Sequence, residues 1–117
     1  MTFHQKGQLL KIFIGESDRY QGIPLYKWII QQARKEGMAG TTVLRGMLGY
    51  GAHSRIHTTK ILRLSEDLPV IIEIIDTPEK IEGFLPFIDR SVKEGLATIQ
   101  DVRIKSYRSE KIKKLQV

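Results

Sequence analysis

The segment Arg45–Lys60, RGMLGYGAHSRIHTTK, concentrates most of the residues in this sequence that could do chemistry. Gly46, Gly49 and Gly51 let a backbone approach a ligand closely and turn N–H groups toward an anion. Arg45 and Arg55 carry planar guanidinium forks that match phosphate oxygens, and Tyr50 offers a ring on which a base can stack. The spacing is not that of a P-loop, because no Gly-Lys-Ser/Thr follows, and it is not a dinucleotide fingerprint. The plainer alternative is a flexible hairpin arm with solvated polar side chains.

Two other groupings compete for attention. His53 and His57 stand four apart, a metal-ligand spacing that places both on one face only in a helix. Three glycines precede them and no third ligand is nearby, so ordinary hydrogen-bonding or ligand-contact roles are favoured over a metal site. Gly15-Glu16-Ser17-Asp18-Arg19 offers carboxylates that could accept ribose hydroxyls or hold a cation. Turn chemistry explains the same residues, since Ser and Asp side chains bond local backbone. Ser65-Glu66-Asp67 ahead of Leu68-Pro69 reads as a turn on the same grounds. Nothing points to catalysis: no cysteine nucleophile exists and no serine lies in a G-x-S-x-G elbow. The chain is read as not an enzyme.

The elements that must position these residues follow from apolar patterning. Gln8–Gly15 reads as a strand. Residues 24–36 read as a helix opened by Pro24 and stopped by Gly37, with Leu25, Trp28, Ile29 and Ala33 on its apolar side. Thr41–Leu48 and Val70–Ile75 are further strands. Thr77 is a candidate N-cap and Pro78 a first residue for a second helix. Its face is Ile81, Leu85, Ile88 and Val92, with Phe84 beside them. Pro86 predicts a kink or restart, and Gly95 a stop. Ala97–Lys105 completes the order β-α-β-β-α-β. Lys-Glu-Gly recurs at residues 35–37 and 93–95, as two copies of one supersecondary unit would require.

Two such units interleave into a four-stranded antiparallel sheet with both helices on one face, a ferredoxin-like α+β sandwich. The first strand alternates Leu10, Ile12, Ile14 against Leu9, Lys11, Phe13, and the third alternates Val70, Ile72, Ile74 against Ile71, Glu73, Ile75. Both faces are therefore apolar, whereas two helices cover only one. The uncovered face predicts association with another chain. Glu73, if buried there, needs a basic partner or a proton.

At 117 residues the chain fits a single domain, with 41% apolar and 27% charged residues and no cysteine. Disulfide scaffolds and cysteine-ligated zinc are excluded. No apolar run is long enough to span a bilayer and Met1–Gln8 lacks a signal-peptide core, so a soluble, cytoplasmic protein is expected. Residues 103–117 carry +5 of the net charge of +6. Residues 106–117 are read as a solvated basic tail, with a nucleic-acid or anionic-membrane patch as the alternative.

Gly15-Glu16-Ser17-Asp18, Gly46-x-x-Gly49-Tyr50-Gly51, Ser54-Arg55-Ile56-His57 and Leu64-Ser65-Glu66-Asp67-Leu68-Pro69 together resemble the PII-like domain-of-unknown-function family 190, over roughly Leu9–Ile104. That family is similar in fold to PII signalling proteins and CutA-type proteins. The resemblance implies a homotrimer with adenine nucleotide in clefts between subunits. One wall would come from Arg45–His57. The other would come from a neighbour's Gly95–Thr98 and Arg103. The implied ligand-binding set is Glu16, Arg45, Gly46, Gly49, Tyr50, Gly51, His53, Ser54, Arg55, His57 and Arg103. The loop over residues 46–59 would order on binding and report to a partner, an enzyme or a membrane protein of the fluoride-exporter type. PII proteins carry a basic, glycine-rich loop before the last strand, whereas Gly95-Leu96-Ala97-Thr98 has no cation. AMP or ADP, bound as a ligand and not as a cofactor, is therefore favoured over ATP. A CutA-type metal-binding trimer using His53 and His57, and a nucleic-acid binder acting through the tail, are the alternatives.

Overall fold

The structure, a computed structural model, describes residues 5–49 and 67–108. Its elements in chain order are β1 (Gln5–Gly15), β2 (Arg19–Tyr20), β3 (Ile23–Pro24), α1 (Leu25–Lys35), β4 (Gly40–Arg45), β5 (Pro69–Asp76), α2 (Pro78–Ser91) and β6 (Leu96–Ile104). The main sheet runs β4-β5-β1-β6, and every neighbouring pair is antiparallel. Within each strand–helix–strand unit the two strands therefore point the same way, with a strand of the other unit between them. This is the ferredoxin-like arrangement that the patterning predicts.

The period of two along the strands decides where the core sits. Leu10, Ile12 and Ile14 of β1 and Val70, Ile72 and Ile74 of β5 point to the helix side, and each is at most 6% exposed. They meet Leu25, Trp28, Ile29 and Ala33 of α1 and Ile81, Phe84 and Ile88 of α2, so one cluster joins both helices to the two central strands. Leu85 and Val92, expected on the α2 face, pack at its margin.

The opposite side of the sheet reads as three cross-strand rows. Leu44, Ile71, Phe13 and Leu96 form an apolar row, followed by Thr42, Glu73, Lys11 and Thr98, then Gly40, Ile75, Leu9 and Gln100. No described element covers these rows. Leu44, Ile75 and Leu96 are 44, 39 and 58% exposed. Glu73 finds its partner within the chain, since Lys11 Nζ lies 3.8 Å from its carboxylate.

Helix ends differ in instructive ways. α1 closes with a Schellman arrangement in which Met38 N–H donates to Ala33 O and Gly37 N–H to Arg34 O, at 3.0 and 3.1 Å. Gly37 has φ +72°, which a side chain disfavours. Lys80 Nζ adds a bond to Glu36 O at 2.7 Å, tying the start of α2 to the end of α1. α2 opens on its expected cap, Thr77 Oγ accepting from Lys80 N–H at 3.2 Å.

Several local expectations are corrected. Pro24 is the N-cap of α1, not its first residue, because a short β2–β3 ribbon reaches it. β4 ends at Arg45 instead of continuing to Leu48. α2 runs unbroken through the exposed Pro86 and ends at Ser91, four residues before Gly95. Ser91 Oγ donates back to Phe87 O at 2.9 Å, and Val92 is already extended. Gly95 answers a different demand: a Cβ there would stand 2.7 Å from Phe13 O. The two Lys-Glu-Gly segments are thus not equivalent in conformation.

Asp76 is 2% exposed. It accepts from Ala39 N–H at 2.8 Å and Thr77 N–H at 2.7 Å. Asp76→Ala strands both donors and is expected to cost about 2–3 kcal/mol. Phe84→Ala opens the core between the helices and the sheet and is expected to cost about 3–5 kcal/mol. Urea denaturation at constant m-value measures both.

Candidate functional site

The end of the sheet where β1 and β4 terminate is built around the start of β5. Glu16 N–H donates to Leu68 O at 2.8 Å on one side, and Gly46 N–H donates to Pro69 O at 2.7 Å on the other. The β1–β5 and β4–β5 ladders are each extended by one residue in this way, bringing Glu16 and Arg45 to flank β5. The Arg45 guanidinium then reaches across to the Glu16 carboxylate, Nη2 to Oε2, at 2.5 Å.

The turn after β1 is closed by one acid of its own and by one from the segment ahead of β5. Asp18 accepts from Gly15 N–H at 3.0 Å. Asp67 accepts from Ser17 N–H at 3.2 Å and from Ser17 Oγ at 2.9 Å. The Asp18 bond is the local turn chemistry that the sequence offers for this stretch, whereas the Asp67 bonds reach across 50 positions. Together they hold Asp18 and Asp67 against the turn that carries Glu16.

Gly46 and Gly49 face Pro69. A Cβ on Gly46 would stand 2.8 Å from Pro69 Cγ, and one on Gly49 3.3 Å from it. The missing side chains let the connection leave β4 against the proline ring. Met47 and Leu48 are thrown outward, 94 and 66% exposed. Tyr50, Gly51, His53, Ser54, Arg55 and His57 lie outside the described residues.

Arg103 lies at the other end of the sheet. It pairs with Lys6 in β1, whereas Arg45 pairs with Val70, which pairs with Ile14. Eight residues of extended strand separate those two β1 positions, roughly 26 Å. The Arg103 end carries a cleft of about 850 Å³ whose walls include Ile75, Val102, Ile104 and Tyr107. Lys80, Arg103 and Lys105 also line it. Tyr107 OH donates to Ala39 O at 3.4 Å, so the segment after β6 reaches the residue ahead of β4. Sequence reading singles out Arg103 but not Lys80 or Tyr107; only the run of cations from Arg103 onward hints at this end.

One chain therefore presents two separate surfaces. The first has an exposed arginine, already paired, beside a glycine-lined exit. The second is a largely apolar cleft with cations around it. Among the described residues no group of three or more His, Asp and Glu side chains is placed to hold a metal ion. No described helix is long and apolar enough to cross a membrane.

Comparison with known proteins bears on both surfaces. The profile of the family described as DUF190 (Uncharacterized ACR, COG1993) matches residues 7–104. A UPF0166 protein of Aquifex aeolicus is 40% identical over 99 residues, covering 85% of this chain and 93% of that protein. One from Methanocaldococcus jannaschii is 39% identical over 100 residues, covering 85 and 92%. Among solved structures, CPII of Thiomonas intermedia, a nitrogen regulatory PII-like protein bound to ADP, AMP and bicarbonate, superposes with a TM-score of 0.59 at 17% identity. The match covers 89% of this chain and 92% of CPII. A protein of Thermus thermophilus described as of the PII-like signalling type superposes with a TM-score of 0.60 at 14% identity, covering 86 and 91%.

The close approach of Gly46 to Pro69 makes a paired test. Gly46→Ala is expected to destabilise the protein by about 1–3 kcal/mol through overpacking. Gly40→Ala, with nothing within 4 Å of its Cβ position, should stay within about 0.5 kcal/mol of wild type. Chemical denaturation of the two variants side by side provides the check.

Proposed function

Because the chain belongs to the DUF190 family, we propose that it is a PII-like regulatory protein, not an enzyme, that binds an adenine nucleotide between subunits. The observation that carries this reading is the separation of Arg45 from Arg103. The two lie at opposite ends of the sheet in one chain, farther apart than a mononucleotide reaches. A ligand held by both needs two chains, and the uncovered apolar rows supply a reason for chains to meet.

In this reading the chain forms a trimer. Arg45 with Gly46, Gly49 and the connection after β4 forms one wall of each site. The cleft beside Arg103 of a neighbouring copy forms the other, its apolar lining suited to a base and its cations to phosphate. Residues 95–98 bring no cation, which favours AMP or ADP over ATP. The ligand orders the segment over residues 46–59, and that segment reports to a partner. Access to the nucleotide pool makes the cytoplasm the fitting location. The solved structure of CPII with ADP and AMP supports the ligand class, by likeness of fold.

Sedimentation should give a trimer. AMP or ADP at about 100 times Kd should stabilise the native state by ~2.7 kcal/mol, read as a rise in melting temperature. Arg45→Ala and Arg103→Ala should each abolish the rise. Co-expression of the two variants should restore part of it, because a chain retaining Arg103 then meets one retaining Arg45. Absence of any nucleotide effect overturns the reading, and absence of rescue overturns its placement between chains.

A further inference from the structure

We propose that Glu16 is a built-in competitor for Arg45 and thereby limits how many phosphates the ligand carries. The inference rests on the nucleotide reading above and deepens it by assigning a specificity determinant.

Glu16 is the fixed member of its ion pair. Its backbone is bonded to Leu68, and its side chain is 22% exposed against 62% for Arg45. A carboxylate oxygen and a phosphate oxygen are equivalent partners for a guanidinium fork. In the ligand-free chain the carboxylate thus occupies a donor that a phosphate would use. A phosphate arriving at Arg45 must share that donor or displace Glu16.

The surroundings sharpen the effect. Asp18 and Asp67 are held by Gly15 and Ser17, the residues on either side of Glu16, so two further carboxylates stay fixed against the turn that carries it. Within one chain the cations Lys80, Arg103 and Lys105 lie at the far end of the sheet, so those that meet phosphate in the shared site come from the neighbour. Each further phosphate charge near Arg45 is therefore added against the Glu16 carboxylate. Repulsion between unit charges about 6 Å apart in water amounts to about a threefold loss of affinity per charge.

Arg45 is also the last residue of β4, immediately before the connection that leaves at Gly46. Transfer of Arg45 from Glu16 to a ligand changes what anchors the root of that connection. The same exchange that sets specificity is thus placed to pass ligand occupancy to residues 46–59.

Glu16→Gln keeps the shape of the side chain and removes its charge. Dissociation constants for AMP, ADP and ATP, measured by calorimetry on wild type and variant, give a ratio that a general loss of stability does not move. ATP carries two phosphate charges more than AMP, so the variant is expected to tighten ATP by about tenfold more than AMP. An unchanged ATP-to-AMP ratio, or weaker binding of ATP, overturns the proposal while leaving nucleotide binding intact. Binding of no nucleotide by either protein overturns the proposal together with the reading it rests on. Glu16→Ala serves as the second variant if the glutamine form does not fold, with the same outcomes.

Discussion

Two helices can cover one side of a four-stranded sheet and no more, and the rest of this molecule follows from that limit. The helix side takes Leu10, Ile12, Ile14, Val70, Ile72 and Ile74 into a single cluster with α1 and α2. The other side repeats the same alternation with Leu9, Phe13, Ile71 and Ile75, and neither α1 nor α2 covers it. Apolar area of that kind is stabilised only by removal from water. The strand pattern is thus the physical ground for the assembly proposed above.

The sheet also sets the distances between chemical groups. Each strand is a ruler, and its register puts Arg45 at one end and Arg103 at the other. A site that uses both has to be shared, and a shared site couples occupancy to association. In the proposed reading, the lack of cations in residues 95–98 and the Glu16 carboxylate on Arg45 both favour a ligand of modest negative charge.

The main strands and both helices are legible in the sequence because alternation and helical spacing are strong, local signals. Thr77 as a cap and Gly37 as a stop are legible for the same reason: their chemistry acts within one turn. Where the sequence misleads, a distant contact takes over. The two-residue pairing of β2 with β3 displaces Pro24 from the helix, and Gly95 is demanded by Phe13 in another strand. The short β2–β3 ribbon has too few residues to show a period at all. At the site, the residue types of Glu16, Ser17 and Asp18 announce a turn. The link to Arg45 is hidden, since the partners are 29 positions apart and meet only once β5 lies between them. The cleft around Tyr107 is illegible because its walls come from strand ends and a terminal segment with no pattern.

The pairing of Lys11 with Glu73 has a consequence for molecular recognition. Their row runs across the middle of the uncovered face, flanked by a greasy row on one side and a partly greasy one on the other. Any surface laid over it must either satisfy two charges and the hydroxyls of Thr42 and Thr98 or strip their water without return. A uniformly oily mate is therefore disfavoured, and so is a copy slid by one row. The polar stripe works as an alignment mark, rejecting mismatched neighbours at the position where indiscriminate stickiness would otherwise be greatest.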